Sequence, residues 1–159
     1  MTEVAFHFNA PDKLAYTCRL LKKALSQSAQ VVVSADPSTI EQLDQALWTF
    51  RADAFVPHCT VQSQPMLWRH SPVVLVPSSE LPDTLTHHKV LVNLGQELVK
   101  GFEAFERVIE VVTLNEEDRL QARQRWKHYA TRGYPLKRHD RSEEHTSELQ
   151  SQSTISYAV

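Results

Sequence analysis

The chain has 159 residues, with 17 Lys and Arg against 19 Asp and Glu and a formal net charge of −2. That length suits one domain with a single core, and the balance of charge argues against a polycation that coats nucleic acid along its whole surface. No apolar run approaches ~18 residues, so no membrane-spanning helix is expected. "MTEVAFHFNAPDK" lacks a basic region followed by an apolar one, so no secretory signal is expected either. Cys18 and Cys59 are therefore expected as free thiols in a reducing cytoplasm.

The first element is "EVAFHFN", Glu3 to Asn9, whose alternation predicts a strand. Pro11 can open a helix, and apolar residues at Leu14, Cys18, Leu21 and Leu25 carry its pattern. Gln30 to Ala35 is a short apolar strand of the kind buried on both faces. Ser38 with Glu41 forms a capping-box pattern and predicts a helix to Leu47 or Trp48. Phe50 to Arg69 is long and irregular, with Pro57 and Pro65, and loops of that length often carry function. Strands follow at Val73–Pro77, Lys89–Leu94 and Arg107–Thr113, with a short helix expected over Gly95–Phe105. The last helix is predicted over Glu116–Thr131, ended near Gly133 and blocked by Pro135. Strands alternating with helices indicate an α/β domain with a mainly parallel sheet, Rossmann-like in layout.

Residues 1–140 form the expected domain. "RSEEHTSELQS", Arg141 to Ser151, resembles the in-frame translation of a sequencing-library adapter, so residues 141–159 are expected to be a non-native, disordered tail. Without Arg141, Glu143, Glu144 and Glu148, sixteen basic and sixteen acidic side chains remain. The domain is neutral, and any basic surface is local.

A nucleotide site is not expected. Gly95, Gly101 and Gly133 are the only glycines, and the turn after the first strand is "FNAPDK", without a phosphate-binding fingerprint. His87 and His88 lack a third metal ligand, and His58 beside Cys59 does not make a thiol–base pair. No catalytic, cofactor or metal residues are assigned, and a binding protein is the better class.

The strongest signal is Asn115 to Arg138, "NEEDRLQARQRWKHYATRGYPLKR". Acids occupy its first turn and bases follow, the polarity that a helix macrodipole favours. Arg119, Arg123, Trp126 and Lys127 fall at i, i+4, i+7 and i+8, on one helix face. A basic stripe with an embedded indole suits a ligand both anionic and apolar: a nucleic-acid strand, or an acidic peptide with a hydrophobic end.

"LDQALWTFRADAFVPH", Leu43 to His58, together with "VAFHFN", "VLVNLGQELVKGFEAFERVIEVV" and "RLQARQRWKHYATRGY", resembles the chi subunit family of bacterial DNA polymerase III. The resemblance covers residues 3–136 and is weakest at 60–90. It implies a non-enzymatic, cytoplasmic adaptor. The family pairs with the psi subunit, which tethers it to the clamp loader, and with the acidic, Phe-terminated tail of single-stranded-DNA-binding protein; it can also pair with a repair helicase. Carried over by position, the tail site is Trp48, Phe55, Val112, Arg119, Arg123, Trp126 and Lys127. Trp126 stands where the family often has Tyr. Trp48, at a helix end, suits core packing or a pocket wall equally, and Val112 suits a buried strand position. On these grounds Trp48, Phe55, Val112 and Trp126 are expected to bound one slot for a terminal Phe. The alternative is direct single-strand nucleic-acid binding through the same helix.

Removal of residues 141–159 is expected to leave the melting temperature unchanged. A large fall on truncation would show that the tail is structural.

Overall fold

Short runs of Val, Ile and Leu set this architecture, because each strand buries alternate side chains against helices on opposite faces of one sheet. A computed structural model describes residues 2–49, 58–60, 71–77, 81, 85 and 87–140. Its strands are β1 (Glu3–Ala10), β2 (Val31–Ser34), β3 (His58–Thr60), β4 (Val73–Val76), β5 (Val90–Asn93), β6 (Arg107–Thr113) and β7 (Leu136–Asp140). The helices are α1 (Lys13–Ser26), α2 (Pro37–Thr49) and α3 (Glu116–Thr131). All the strands join one sheet in the order β3-β4-β2-β5-β6-β1-β7, and every pairing is parallel.

Val31, Val33, Val73, Leu75, Val90, Val92, Ile109 and Val111 pack with α1 and α2 on one face. Val32, Val74, Leu91, Val108 and Val112 pack on the other, with Phe102, Ala122 and Tyr129. The same alternation sends Phe6 of β1 towards α3, while His7 meets Tyr16 of α1 through a buried hydrogen bond. Cys18 is a free, buried thiol on α1, and loss of solvation pushes its pKa up to about 11.

Four details differ from the sequence reading. Asp12 caps α1, accepting from Ala15 N at 3.1 Å, so the helix opens at Lys13 rather than at Pro11. Asp36, not Ser38, caps the next helix: its carboxylate accepts from Thr39 N (3.2 Å) and the Thr39 hydroxyl (2.6 Å), which places Pro37 at the first helical position. No helix fills Gly95–Phe105, only a 3-10 turn at Phe102–Ala104. The Asn93 side chain bonds Gly95 N (2.9 Å) and Glu97 O (2.9 Å), and Gly101 is left-handed at φ 86°, so the segment is held as a loop. β3 and the edge strand β7 were not foreseen.

The closing helix matches its predicted bounds. Asn115 Oδ1 accepts from Asp118 N at 3.1 Å. At the other end Gly133, at φ 81°, donates to Ala130 O (3.1 Å) and Tyr134 N to Tyr129 O (3.2 Å), the Schellman pattern. The chain then turns into β7, beside β1, with Phe6 opposite Arg138 and Phe8 opposite Asp140.

The α2 cap yields a pH-dependent prediction. The Thr39 hydroxyl, foremost among several contacts, holds the Asp36 carboxyl below its usual range. Its contribution is present above the unfolded value of about 3.9 and is lost as pH falls through the lowered folded value. Asp36→Ala is expected to cost about 1 kcal/mol in urea unfolding at neutral pH. The gap should shrink in strong acid. A gap independent of pH would contradict the cap.

Candidate functional site

The α3 helix has almost no apolar stripe. Its buried residues are Asp118, Ala122, Arg125 and Tyr129, so it docks largely through polar groups. Asp118 accepts from Thr113 N (2.9 Å) and the Thr113 hydroxyl (3.0 Å), and lies 3.4 Å from Lys13 Nζ. Two turns on, Arg125 Nε donates to Glu110 Oε1 at 2.9 Å and the Tyr129 hydroxyl donates to Glu110 Oε2 at 2.7 Å. Asn93 Nδ2 reaches both carboxylate oxygens at 3.1 Å. Arg125 also donates to Gln96 O at 2.8 Å. Glu110 is 0% exposed and Arg125 3%. Burial, followed by the charge of Glu110, pushes the Tyr129 hydroxyl far above its usual pKa, so it remains a donor.

This anchoring fixes the rotation of α3. With Arg125 and Tyr129 turned inward, Arg119, Arg123 and Trp126 border the space between α3 and β1. Ala122 is small and leaves that space open. The result is a groove of about 330 Å³ lined by Phe6, Phe8, Val112, Arg119, Ala122, Arg123, Trp126 and Arg138. Phe6 and Trp126 meet edge to face with ring centroids 5.1 Å apart. The Arg138 guanidinium lies 4.9 Å from the Phe8 ring centroid and 6.0 Å from that of Trp126. Among the described residues, the side chains of Arg119, Arg123 and Arg138 take part in no ion pair. Three guanidinium groups with free donors thus surround a floor of aromatic and aliphatic carbon. That arrangement can hold carboxylates and an aromatic ring together.

The expected site residues separate. Val112 forms part of the floor, Trp126 a half-buried wall, and Arg119 and Arg123 an exposed rim. Lys127 is exposed on α3 but does not line the groove. Trp48 does not bound this slot. Its ring is 62% exposed and packs edge to face on His58 of β3, with centroids 5.5 Å apart. His58 Nε2 in turn lies 2.8 Å from Asp44 Oδ1 of α2. Trp48 therefore sits on the opposite face of the sheet, and five strand spacings, about 24 Å, separate β3 from β1. Two blocks that read as one signature in sequence are thus remote in space. Phe55 lies outside the described residues.

Phe6, Phe8, Ala122 and Arg138 were not assigned from sequence. The "FHF" alternation could have flagged both phenylalanines. Arg138 could not be placed without β7. Arg125, read as one cation of a continuous basic run, is instead an internal group.

A larger cavity of about 620 Å³ lies at the carboxyl ends of β2, β4 and β5, where parallel α/β sheets commonly hold ligands. Its polar groups are turned to the protein. Lys13 Nζ donates to Leu94 O (2.9 Å), and the Asp36 carboxylate occupies the start of α2, where a phosphate would have to sit.

Residues 1–137 match the family described as "DNA polymerase III chi subunit, HolC". The chain is 34% identical over 144 residues to DNA polymerase III subunit chi of Pseudomonas aeruginosa, an alignment that covers 87% of this chain and 96% of that protein.

The buried anchor predicts a non-additive pair. Glu110→Leu leaves the Arg125 guanidinium buried without its carboxylate, and is expected to cost about 3–5 kcal/mol. Adding Arg125→Met should restore most of that loss. Additive losses in denaturant unfolding would contradict the anchor.

Proposed function

The chain belongs to the DNA polymerase III chi subunit family, and from that premise we propose that it is a non-catalytic adaptor whose groove between α3 and β1 binds the C-terminal tail of single-stranded-DNA-binding protein. Chi is an accessory protein of DNA replication. In the proposed role, a psi subunit would tether the chain to the clamp loader while the groove joins it to the protein coating the template.

One observation carries this reading: Arg119, Arg123 and Arg138, without an ion pair among the described residues, ring a floor of Phe6, Phe8, Val112 and Trp126. A tail with aspartates and a final Phe has matching chemistry. The cations alone would steer it, because exposed charges are screened over ~8 Å at physiological salt. The ring supplies selection, since burying a Phe side chain contributes about 1.5–3 kcal/mol with little salt dependence. A nucleic-acid strand would instead favour several spaced aromatic platforms along a basic track. Trp48 is not part of this groove. Its exposed indole lies on a separate surface that a second partner could occupy without displacing the tail.

Arg123→Ala is expected to weaken the Phe-terminated acidic peptide by about 1.5–3 kcal/mol, roughly tenfold to over a hundredfold, in calorimetric titration. A peptide lacking its terminal Phe should lose measurable binding even at low salt. Trp48→Ala should leave peptide affinity unchanged. Equal affinity of the intact and Phe-less peptides, or stronger binding of an oligonucleotide, would contradict the assignment.

A further inference from the structure

We propose that His7 and His139 form a proton-sensitive clasp that holds the edge strand β7 on the sheet at neutral pH and releases it in mild acid. The inference does not depend on what the groove binds. His7 and His139 stand opposite one another on the paired strands β1 and β7. Their rings meet edge to face with centroids 5.1 Å apart. His7 is fully buried and shares a hydrogen bond with the Tyr16 hydroxyl of α1, while His139 is half-buried. Alternation along both strands puts the pair on the α1 face of the sheet, directly behind Phe6, Phe8 and Arg138.

Two neutral imidazoles pack there without electrostatic cost. A proton on either ring buries a charge, and a second proton sets two like charges side by side. Tyr16 presents a neutral hydroxyl to His7, and Val111 is its neighbour on β6. Glu3, on the same face of β1, is engaged by Lys137 of β7. Asp140 adjoins His139 but falls on the opposite strand face. On α1, the Asp12 carboxylate is taken by Ala15 N, and Arg19, one turn beyond Tyr16, adds positive charge. Protons therefore bind more readily once β7 has left and both rings meet water. The attachment is fully present above the ordinary imidazole range, near pH 6.5, and is lost as pH falls below it. Little else holds the strand. Among the described residues β7 pairs with β1 alone, it contributes one apolar side chain, Leu136, and its Lys137–Glu3 ion pair is partly exposed. Arg138 leaves with the strand, so the groove loses that wall in acid.

The test is amide hydrogen exchange of the full chain by NMR, from about pH 7.5 to about pH 5, corrected for the intrinsic pH dependence of exchange. Protection of the Leu136–Asp140 amides is expected to fall about tenfold or more, while Val90–Asn93 and Arg107–Thr113 keep theirs. Glu3 does not titrate in this window, because its hydrogen bond to Lys137 holds the carboxyl below its usual range. His139→Phe keeps a ring of similar size and removes one titrating group, so its fall should be about threefold smaller or less than that. The ring protons of His7 and His139 in the unmodified chain give a second measure, and should titrate in step with the loss of β7 protection. Protection of β7 that ignores pH, an equal fall in His139→Phe, or a fall shared by every strand would overturn the clasp. So would imidazoles that titrate while β7 stays protected.

Discussion

The buried carboxylate of Glu110 is the constraint on which this structure turns. It lies at the centre of β6, fully enclosed, and accepts from Arg125 and Tyr129 of α3 and from Asn93 of β5. A carboxylate so placed is costly unless its acceptor sites are filled, and here each oxygen has donors. A helix with an apolar stripe could rotate a little and still bury carbon. With hydrogen bonds as its anchors, α3 tolerates much less rotation. Directional bonds therefore determine which residues face outward, and the groove is a consequence of where Arg125 and Tyr129 point. The same network reaches the Gly95–Glu97 loop through Asn93 and Arg125, so one buried cluster holds two neighbouring surfaces.

The fold keeps the layered plan of nucleotide-binding α/β proteins while its crevice is built differently. The Asp36 carboxylate occupies the start of α2, and Lys13 is held by Leu94 O and by Asp118. Cations without an ion pair among the described residues lie at the far edge of the sheet, where Arg119, Arg123 and Arg138 border apolar carbon. In the proposed role, charge there would attract and orient a ligand, and aromatic burial would discriminate, because it survives the screening that weakens an exposed cationic stripe. That division of labour suits an adaptor, whose task is selective attachment rather than bond chemistry.

Much of the fold was legible because its signals are local. The bounds of α3 follow from Asn115, the acidic first turn and Gly133, and β6 from the apolar residues on either side of Glu110. Arg119, Arg123 and Trp126 could be grouped because a helix face is a short-range pattern, whereas Val112 was added only by the family resemblance. The failures are long-range. Arg125 looks like its basic neighbours until Glu110 is placed beneath it. The strand β7, "LKRHD", has no apolar alternation, because an edge strand beside β1 needs little, and so no element was predicted around Arg138. Trp48 was drawn into the slot by a sequence block, whereas strand order places it across the sheet.

The most direct measurement of the central claim uses the three tryptophans, Trp48, Trp68 and Trp126, labelled with fluorine and followed by NMR during titration with the Phe-terminated acidic peptide. The account predicts that the Trp126 resonance shifts in proportion to occupancy while that of Trp48 stays in place. A peptide-dependent shift of Trp48 with Trp126 unmoved would contradict it, and would place the binding site on the opposite face of the sheet.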